Sequence, residues 1–215
     1  MRKTPHFTTT DVEVVKRLIR ENPWVTYVSN TSNGLIASHY ATLVEEDADG
    51  ISIVSHFGRP DELLHELGQH EMLVIVQGPH GYISPGWYAE GDFIPTWNHV
   101  TAHLYGTPEI LSDDENFEIL QRMVDHFEAP MPQPVSLDYD EERARRIAKG
   151  TVGLRIRVDR IDARLKLSQN KSAEVRATII DALRGSGPYA HPGVAAEMER
   201  VERERLKRER LEPHP

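Results

Sequence analysis

Most of the fold information lies in WVTYVSNTSNGLIASHYATLVEEDADGISIVSHF, residues 24–57. Its three segments are rich in β-branched and aromatic residues, which favour strands. The dipeptide Asn33-Gly34 separates the first two segments, and Asp49-Gly50 separates the last two. Both dipeptides are typical of the tight turns that join hairpin strands. The stretch therefore predicts an antiparallel meander of three strands.

Helices and further strands surround this meander. Apolar residues at helical spacing, followed by a proline, predict a helix over residues 10–21. Ser112 and Glu115 have the spacing of a capping box, which predicts a helix that continues to about Phe127. The other expected elements are a short helix DELLHEL, a strand MLVIVQ, a loop GPHGYISPGWY, a strand from Asn98 to Ile110, a helix DYDEERARRIA, one long strand TVGLRIRVDRIDARLKL and helical structure in the C-terminal part.

The distribution of these elements predicts the fold class. Strands concentrate in the middle of the chain, whereas helices lie at its ends and in the connections. This pattern predicts the α+β class, with an antiparallel, Greek-key-like β-barrel and peripheral helices. We expect one domain with covering helices over residues 1–185 and a charged helical tail over residues 186–215, where MERVERERLKRER is almost entirely charged.

The composition excludes several classes of protein. The 215 residues include no Cys, which excludes a disulfide framework and a thiolate metal site. No segment approaches the roughly 18 apolar residues of a membrane span, and the N-terminal sequence lacks the apolar core of a secretory signal. The net charge of -9 disfavours direct DNA binding, because proteins that bind DNA phosphates usually carry a basic face. We therefore expect a soluble cytoplasmic protein that does not contact a membrane.

Three segments are candidates for a binding site. In SHFGRPDELLHEL, Arg59 stands between a strand and a helix N-terminus, where it can bind a phosphate or simply precede a surface helix. The segments QGPHGYISPGWY and PTWN combine Trp, Tyr, Gly and Pro, which suits either the stacking of a flat ring or a dimer interface. Residues 166–170, KLSQN, offer hydrogen-bond donors for a heterocycle or a phosphate. The alternative is that they are only the polar turn residues at the end of a strand.

The eleven histidines contain one pair, His99 and His103, with the spacing of a helical zinc site. However, TWNHVTAHLYG alternates with period two and is therefore predicted to be a strand, in which the two residues stand about 13 Å apart. That separation excludes a shared zinc ion. His39 and His56 lie on neighbouring strands of the meander and are candidates either for a ligand pocket or for hydrogen-bonded structural roles.

In combination, these segments resemble the PaiB family of FMN-binding negative transcriptional regulators, a branch of the flavin-type split-barrel superfamily. The resemblance covers roughly residues 5–180. It implies a homodimer of split barrels with FMN at the subunit interface. The motifs that carry it are PHF, ENPWVTYVS, SHFGRP, VIVQGPHGYISPGWY, PTWNHVTAHLYG and KGTVGLRIRVDRIDARLKLSQN.

The resemblance also implies a single flavin site built from several of these segments. Ser55, His56 and Arg59 would hold the phosphate, and the strand around Ser38 and His39 would border the isoalloxazine ring. The residues that would complete the pocket, from this chain or from its partner, are Trp97, Asn98, Lys166, Ser168, Gln169 and Asn170.

Two other functions remain open at this point. One is a flavin-dependent oxidoreductase that acts on a small substrate. The other is a haem-binding or haem-degrading split-barrel protein, with His39 or His56 as the iron ligand. A regulator that binds DNA directly would need a basic recognition helix, and the sequence contains no helix-turn-helix of that kind.

Overall fold

The computed structural model describes residues 4–46, 49–88 and 93–211, which divide into two compact units. Unit 1 consists of the residues up to Thr10, Gln77–Thr101 and the residues from Asp162 onward. Unit 2 consists of Asp11–Val76 and Ala102–Ile161. Unit 1 is thus assembled from three separate segments of the chain.

The described residues form an antiparallel sheet with helices around it, which confirms the predicted α+β class. They contain nine strands: β1 (Thr8–Thr9), β2 (Trp24–Thr31), β3 (Gly34–Val44), β4 (Ser52–Gly58), β5 (Met72–Ile83), β6 (Thr96–Gly106), β7 (Pro108–Ile110), β8 (Thr151–Arg157) and β9 (Arg160–Lys166). They also contain six α-helices: α1 (Val12–Glu21), α2 (Arg59–Leu64), α3 (Asp113–Glu128), α4 (Glu141–Ala148), α5 (Ala173–Arg184) and α6 (Pro192–Leu211).

The strand order in unit 2 is β6-β5-β2-β3-β4-β8-β7. The hairpin of β2 and β3 has Thr31 opposite Gly34, so the chain reverses at Ser32 and Asn33, one residue before the predicted turn at Asn33-Gly34. Gly34 has φ +104°, a conformation that a residue with a side chain rarely adopts. The predicted meander of β2, β3 and β4 is therefore confirmed.

Helix α3 covers one side of the sheet in unit 2. It begins at the predicted capping box, in which Ser112 N donates to Glu115 Oε2 (3.0 Å) and Glu115 N donates to Ser112 Oγ (3.3 Å). The apolar face of α3 then packs Ile119 and Met123 against Val54 of β4. This packing fixes the position of α3 next to β4, which carries two of the predicted site residues.

The strand order in unit 1 is β1-β9-β6-β5, with Thr8 of β1 opposite Arg164 of β9. Helices α5 and α6 pack together, and the Arg176 guanidinium donates to both carboxylate oxygens of Glu202 at 3.0 Å. Across the described ranges, no helix combines the length and the apolar character that crossing a membrane requires.

Three of the predicted element boundaries are wrong. The stretch TVGLRIRVDRIDARLKL forms two strands, because Val158 N donates to Ile51 O and Asp159 N donates to Tyr105 O (both 2.9 Å) and so interrupt the ladder. The expected strand from Asn98 to Ile110 is likewise divided into β6 and β7. The segment GPHGYI, expected in a loop, continues β5, and only the residues after it leave the sheet.

The predicted division at residue 185 falls between α5 and α6, and it stays a prediction. The first turns of α6 bury Val194, Ala195 and Met198, so this part of the predicted tail packs on the rest of unit 1.

Candidate functional site

A chain of hydrogen bonds in unit 2 joins β2, β3 and α2. Ser29 Oγ lies 2.9 Å from His65 Nδ1, and His65 Nε2 lies 3.0 Å from Ser38 Oγ. Ser38 Oγ donates to Asp61 Oδ2 (2.7 Å), and the Tyr40 hydroxyl donates to the same oxygen (2.8 Å). Ser38, predicted to border the flavin ring, is therefore the central member of a polar network.

This network fixes the tautomer of His65. Ser38 Oγ uses its only proton in the bond to Asp61, so His65 Nε2 donates to Ser38 Oγ and Nδ1 accepts from the Ser29 hydroxyl. Burial lowers the pKa of His65, and the Asp61 carboxylate opposes this effect. His65 is thus held as a neutral imidazole with both nitrogens occupied.

His39 lies beside Ser38 in sequence but on the opposite face of β3, since successive strand residues alternate in direction. Its exposed ring stacks with Trp24 at a centroid distance of 6.5 Å and an interplanar angle of 18°. Trp24 is itself exposed. The structure therefore places Ser38 in a half-buried polar network and His39 in an exposed aromatic pair, and does not bring the two side chains together.

Ser55 and His56 are also adjacent residues with opposite directions, on β4. Ser55 is buried, and its hydroxyl donates to Ala41 O (2.7 Å). His56 Nδ1 lies 3.3 Å from Met123 Sδ, and because a thioether can only accept, Nδ1 carries the proton. Burial lowers the pKa of His56. The Ser55 hydroxyl has thus already used its proton, whereas His56 keeps its second ring nitrogen, Nε2, for a ligand.

His56 lines a cavity of about 260 Å³ in unit 2. The wall is mostly apolar, which suits a flat, weakly polar group more than a phosphate. Besides His56, its lining residues are Ala41, Leu120, Met123, Val124, Phe127 and Glu128.

Arg59 begins α2, at the predicted junction of strand and helix. Its guanidinium forms ion pairs with Glu62 Oε2 (3.1 Å) and Asp113 Oδ1 (3.0 Å), and its Nε donates to Lys149 O (3.3 Å). Two carboxylates therefore face one guanidinium, so a phosphate at this point would meet net negative charge. The assignment of the phosphate to Arg59 stays a prediction.

The remaining predicted residues lie in unit 1, where Asn98 and Ser168 form a buried pair. Asn98 Nδ2 donates to Ser168 Oγ (3.0 Å), and Ser168 Oγ donates to Asn98 Oδ1 (3.1 Å). Gln169 folds back on the chain, with Oε1 accepting from Leu167 N (2.8 Å). These side chains stabilise the turn after β9, whereas Asn170 is exposed.

Lys166 and Trp97 are neighbours in unit 1. Lys166 Nζ donates to Trp97 O (2.7 Å) and to the hydroxyl of Thr96, and burial lowers its pKa, with a smaller effect from Arg164. The Trp97 ring is 54% exposed and lies 5.9 Å from the ring of His80. Trp97 therefore presents an accessible aromatic surface next to a cation.

Sequence reasoning missed several residues that the structure brings into these clusters. Asp61 and His65 are four residues apart in DELLHEL, a spacing that places both on one face of a short helix and could have identified them. Arg164, which lies near His99 and Lys166, has no such local signal. Within the described residues, no group of three or more His, Asp or Glu side chains is arranged to hold a metal ion.

Comparison with known proteins assigns the chain to a family. The family described as "Putative FMN-binding domain" matches residues 1–160. The chain belongs to this family. It is also 33% identical over 181 residues to "Protease synthase and sporulation protein PAI 2" of Bacillus subtilis (strain 168), which covers 83% of this chain and 86% of the relative. The predicted membership of the PaiB family is therefore confirmed.

Solved structures confirm the split-barrel fold of this FMN-binding family member. The FAD and heme binding protein from Mycobacterium smegmatis matches with a TM-score of 0.58 and 18% identity, over 85% of this chain and 81% of that chain. The flavocytochrome Anf3 from Azotobacter vinelandii matches with a TM-score of 0.60 and 15% identity, over 82% and 78% of the two chains.

Proposed function

We propose that this protein binds FMN as a homodimer of split barrels and acts as a negative transcriptional regulator of the PAI 2 type. The observation that carries the proposal is the match of the FMN-binding family to residues 1–160. The regulatory part rests on the name of the Bacillus relative, which refers to protease synthesis and sporulation.

The proposed dimer is supported by the apolar surface of unit 1. Phe93, Ile94 and Trp97 are all largely exposed within one short segment. Aromatic residues that are exposed in the free subunit are enriched among those that become buried at the centre of a protein interface. We expect an interface of at least the standard ~1,600 Å².

The proposed flavin would bring reversible redox chemistry at a flat ring, and the chain offers groups suited to hold such a ring. In unit 1, the exposed Trp97 offers a stacking surface. We propose that Trp97, one of the predicted site residues, contacts the ring.

An absorbance spectrum of the purified protein, followed by titration with FMN and light scattering, tests the proposal. We expect flavin absorbance that stays with the protein on gel filtration, and a dimer mass at micromolar concentration. A protein that takes up no flavin from excess FMN would contradict the cofactor, and a monomer mass would contradict the assembly. Oxidation of reduced nicotinamide by the loaded protein would instead identify a flavin-dependent oxidoreductase.

Haem is a second candidate ligand, because the two structural neighbours are named as a haem-binding protein and a flavocytochrome. In this chain, His56 and Met123 line the same cavity, and both residue types can bind haem iron. Addition of hemin would then give a Soret band that is lost in His56→Ala and kept in His39→Ala. The reverse pattern would identify His39 as the ligand, and no Soret band in the wild type would exclude haem.

A further inference from the structure

Five side chains on neighbouring strands of unit 1 form what we term the basic face: His80 on β5, Trp97 and His99 on β6, and Arg164 and Lys166 on β9. The strands lie in the order β9-β6-β5. Trp97 and His99 are two residues apart, as are Arg164 and Lys166, so each pair points to one side of its strand.

Arg164 is the residue of this face that most needs a partner. It is only 9% exposed, and its Nε, which is fully buried, has no hydrogen-bond partner. A buried guanidinium donor without an acceptor costs free energy, so such groups are normally paired. Across the described parts of the chain, Arg164 forms no ion pair with a carboxylate, and the missing partner is therefore expected to be an external anion.

The neighbouring groups of the basic face also retain free donor positions. Lys166 Nζ uses two of its protons on Trp97 O and the Thr96 hydroxyl, which leaves the third. His99 Nδ1 lies 3.1 Å from Thr101 Oγ1, which leaves Nε2. Burial lowers the pKa of His99, and Arg164, Lys166 and His80 lower it further, in that order, so each of the three lies close enough to act on His99 electrostatically.

We propose that Arg164, Lys166 and His99 bind a phosphate monoester, and that Trp97 and His80 contact an aromatic ring of the same molecule. A guanidinium matches two phosphate oxygens at once, and an ammonium adds a compact charge. Arg59 offers the same guanidinium chemistry, but Glu62 and Asp113 already occupy it. The phosphate is either that of FMN, in which case the inference rests on the proposed function, or that of a separate phosphate monoester.

Thermal unfolding with inorganic phosphate tests the site without flavin. The variants are Arg164→Met, Lys166→Met and the control Arg160→Met, which changes an arginine of the same strand that pairs with Glu71. Because ligand binding to the folded state raises Tm, phosphate should raise the Tm of the wild type and of Arg160→Met. It should have little effect on Arg164→Met and a reduced effect on Lys166→Met. Arg164→Met should fold, because it removes an unpaired buried charge.

Titration with FMN and riboflavin identifies the source of the phosphate. If it belongs to FMN, Arg164→Met should weaken FMN binding roughly 10- to 150-fold and leave riboflavin binding unchanged, and inorganic phosphate should compete with FMN. If it belongs to a separate ligand, Arg164→Met should bind FMN like the wild type, while phosphate still raises the Tm of the FMN-loaded wild type.

The two experiments also separate this inference from the proposed function. A phosphate response that depends on Arg164 in a protein that binds no flavin would support the basic face and contradict the proposed cofactor. The basic face itself is contradicted when phosphate and FMN stabilise Arg164→Met as much as the wild type.

Discussion

Arg59 and Arg164 are the two candidate ligands for the phosphate of FMN, and the charges around them differ. Arg59 is 42% exposed and faces two carboxylates, whereas Arg164 is buried and lies near Lys166 and His99, whose pKa values it lowers. An anion gains most where the guanidinium is not already neutralised. Because the two guanidinium groups are chemically identical, the charges around each one decide how strongly it binds an anion.

The comparison of Arg59→Ala with Arg164→Met tests this difference. We expect Arg164→Met to cause the larger loss of FMN affinity, and Arg59→Ala to change FMN and riboflavin binding to the same small extent. Flavin fluorescence quenching measures both affinities. A loss of FMN binding in Arg59→Ala alone, with riboflavin binding unaffected, would show that Arg59 holds the phosphate, as the sequence predicted.

The buried histidines make stability depend on pH. Burial lowers the pKa of His56 and His65, so the unfolded chain binds protons more readily than the folded protein near the ordinary histidine pKa of about 6.5. Their contribution to stability is therefore fully present above about pH 6.5 and is lost as the pH falls below it.

We expect the urea midpoint to be lower at about pH 5.5 than at about pH 7.5, a range in which histidine titrates. The difference between the two midpoints should shrink in His65→Gln, which keeps a polar side chain but cannot titrate. An equal or higher midpoint at the acidic pH would show that these histidines are not held neutral.

At the scale of single elements, the close approach of β6 and β8 depends on Gly106. A side-chain carbon at this position would lie 2.4 Å from Arg157 O and 2.7 Å from Ile156 Cγ2. The oxygen belongs to the backbone of β8, which is held by its pairing with β4 and β7 and cannot move aside cheaply. Gly106 is the last residue of β6, and Pro108, which has no N–H, begins β7.

Gly106→Ala should therefore lower the free energy of unfolding by about 2–3 kcal/mol, in the range of other overpacked sites. Gly187→Ala is the matched control, because no atom lies within 4 Å of the added carbon. Urea unfolding of both variants measures the difference. Equal midpoints would mean that β6 and β8 are not as close as described.

Elements with a local cause were predictable from the sequence, and elements set by distant residues were not. The hairpin turn predicted at Asn33-Gly34 and the capping box of Ser112 act within a few residues; the turn lies one residue earlier, at Ser32 and Asn33, and the capping box is in place. The break between β8 and β9 contains no Gly or Pro that could have predicted it. Its backbone N–H groups instead donate to Ile51 and Tyr105, which are distant in sequence. A single sequence carries no signal for such long-range partners.

The same limit applies to the candidate site. Lys166 was singled out by residue type and Ser38 by the family resemblance, and the structure places each in a polar cluster. Arg164 was missed because its sequence neighbours make it look like any charged strand residue, and only its burial without a partner distinguishes it.

At the scale of the whole molecule, the net charge of -9 opposes attraction to nucleic acid. The basic residues of the helices are also largely neutralised locally, since Arg145 pairs with Glu141 and Arg205 pairs with Glu202. Among the side chains that the structure describes, neither those of α4 nor those of α6 therefore form the basic face that a recognition helix needs. Repression, as proposed, would then act through a partner or through metabolism.

We accordingly expect no tight sequence-specific DNA binding by the purified protein at physiological salt. A gel-shift titration with promoter fragments and excess competitor DNA measures this. A nanomolar shift that resists the competitor would contradict the expectation and would require a basic surface formed on assembly.

The division of the chain into units has a consequence for its biosynthesis. The residues of unit 2 have all been synthesised once the ribosome passes Ile161, whereas unit 1 needs its first strand, the Gln77–Thr101 segment and everything from Asp162 onward. Contacts between such distant segments form late and slowly. Arg164 and Lys166 thus join their neighbours on β6 only after the residues of unit 2 have been synthesised, so a nascent chain exposes the edge of β6 before the proposed anion site can form.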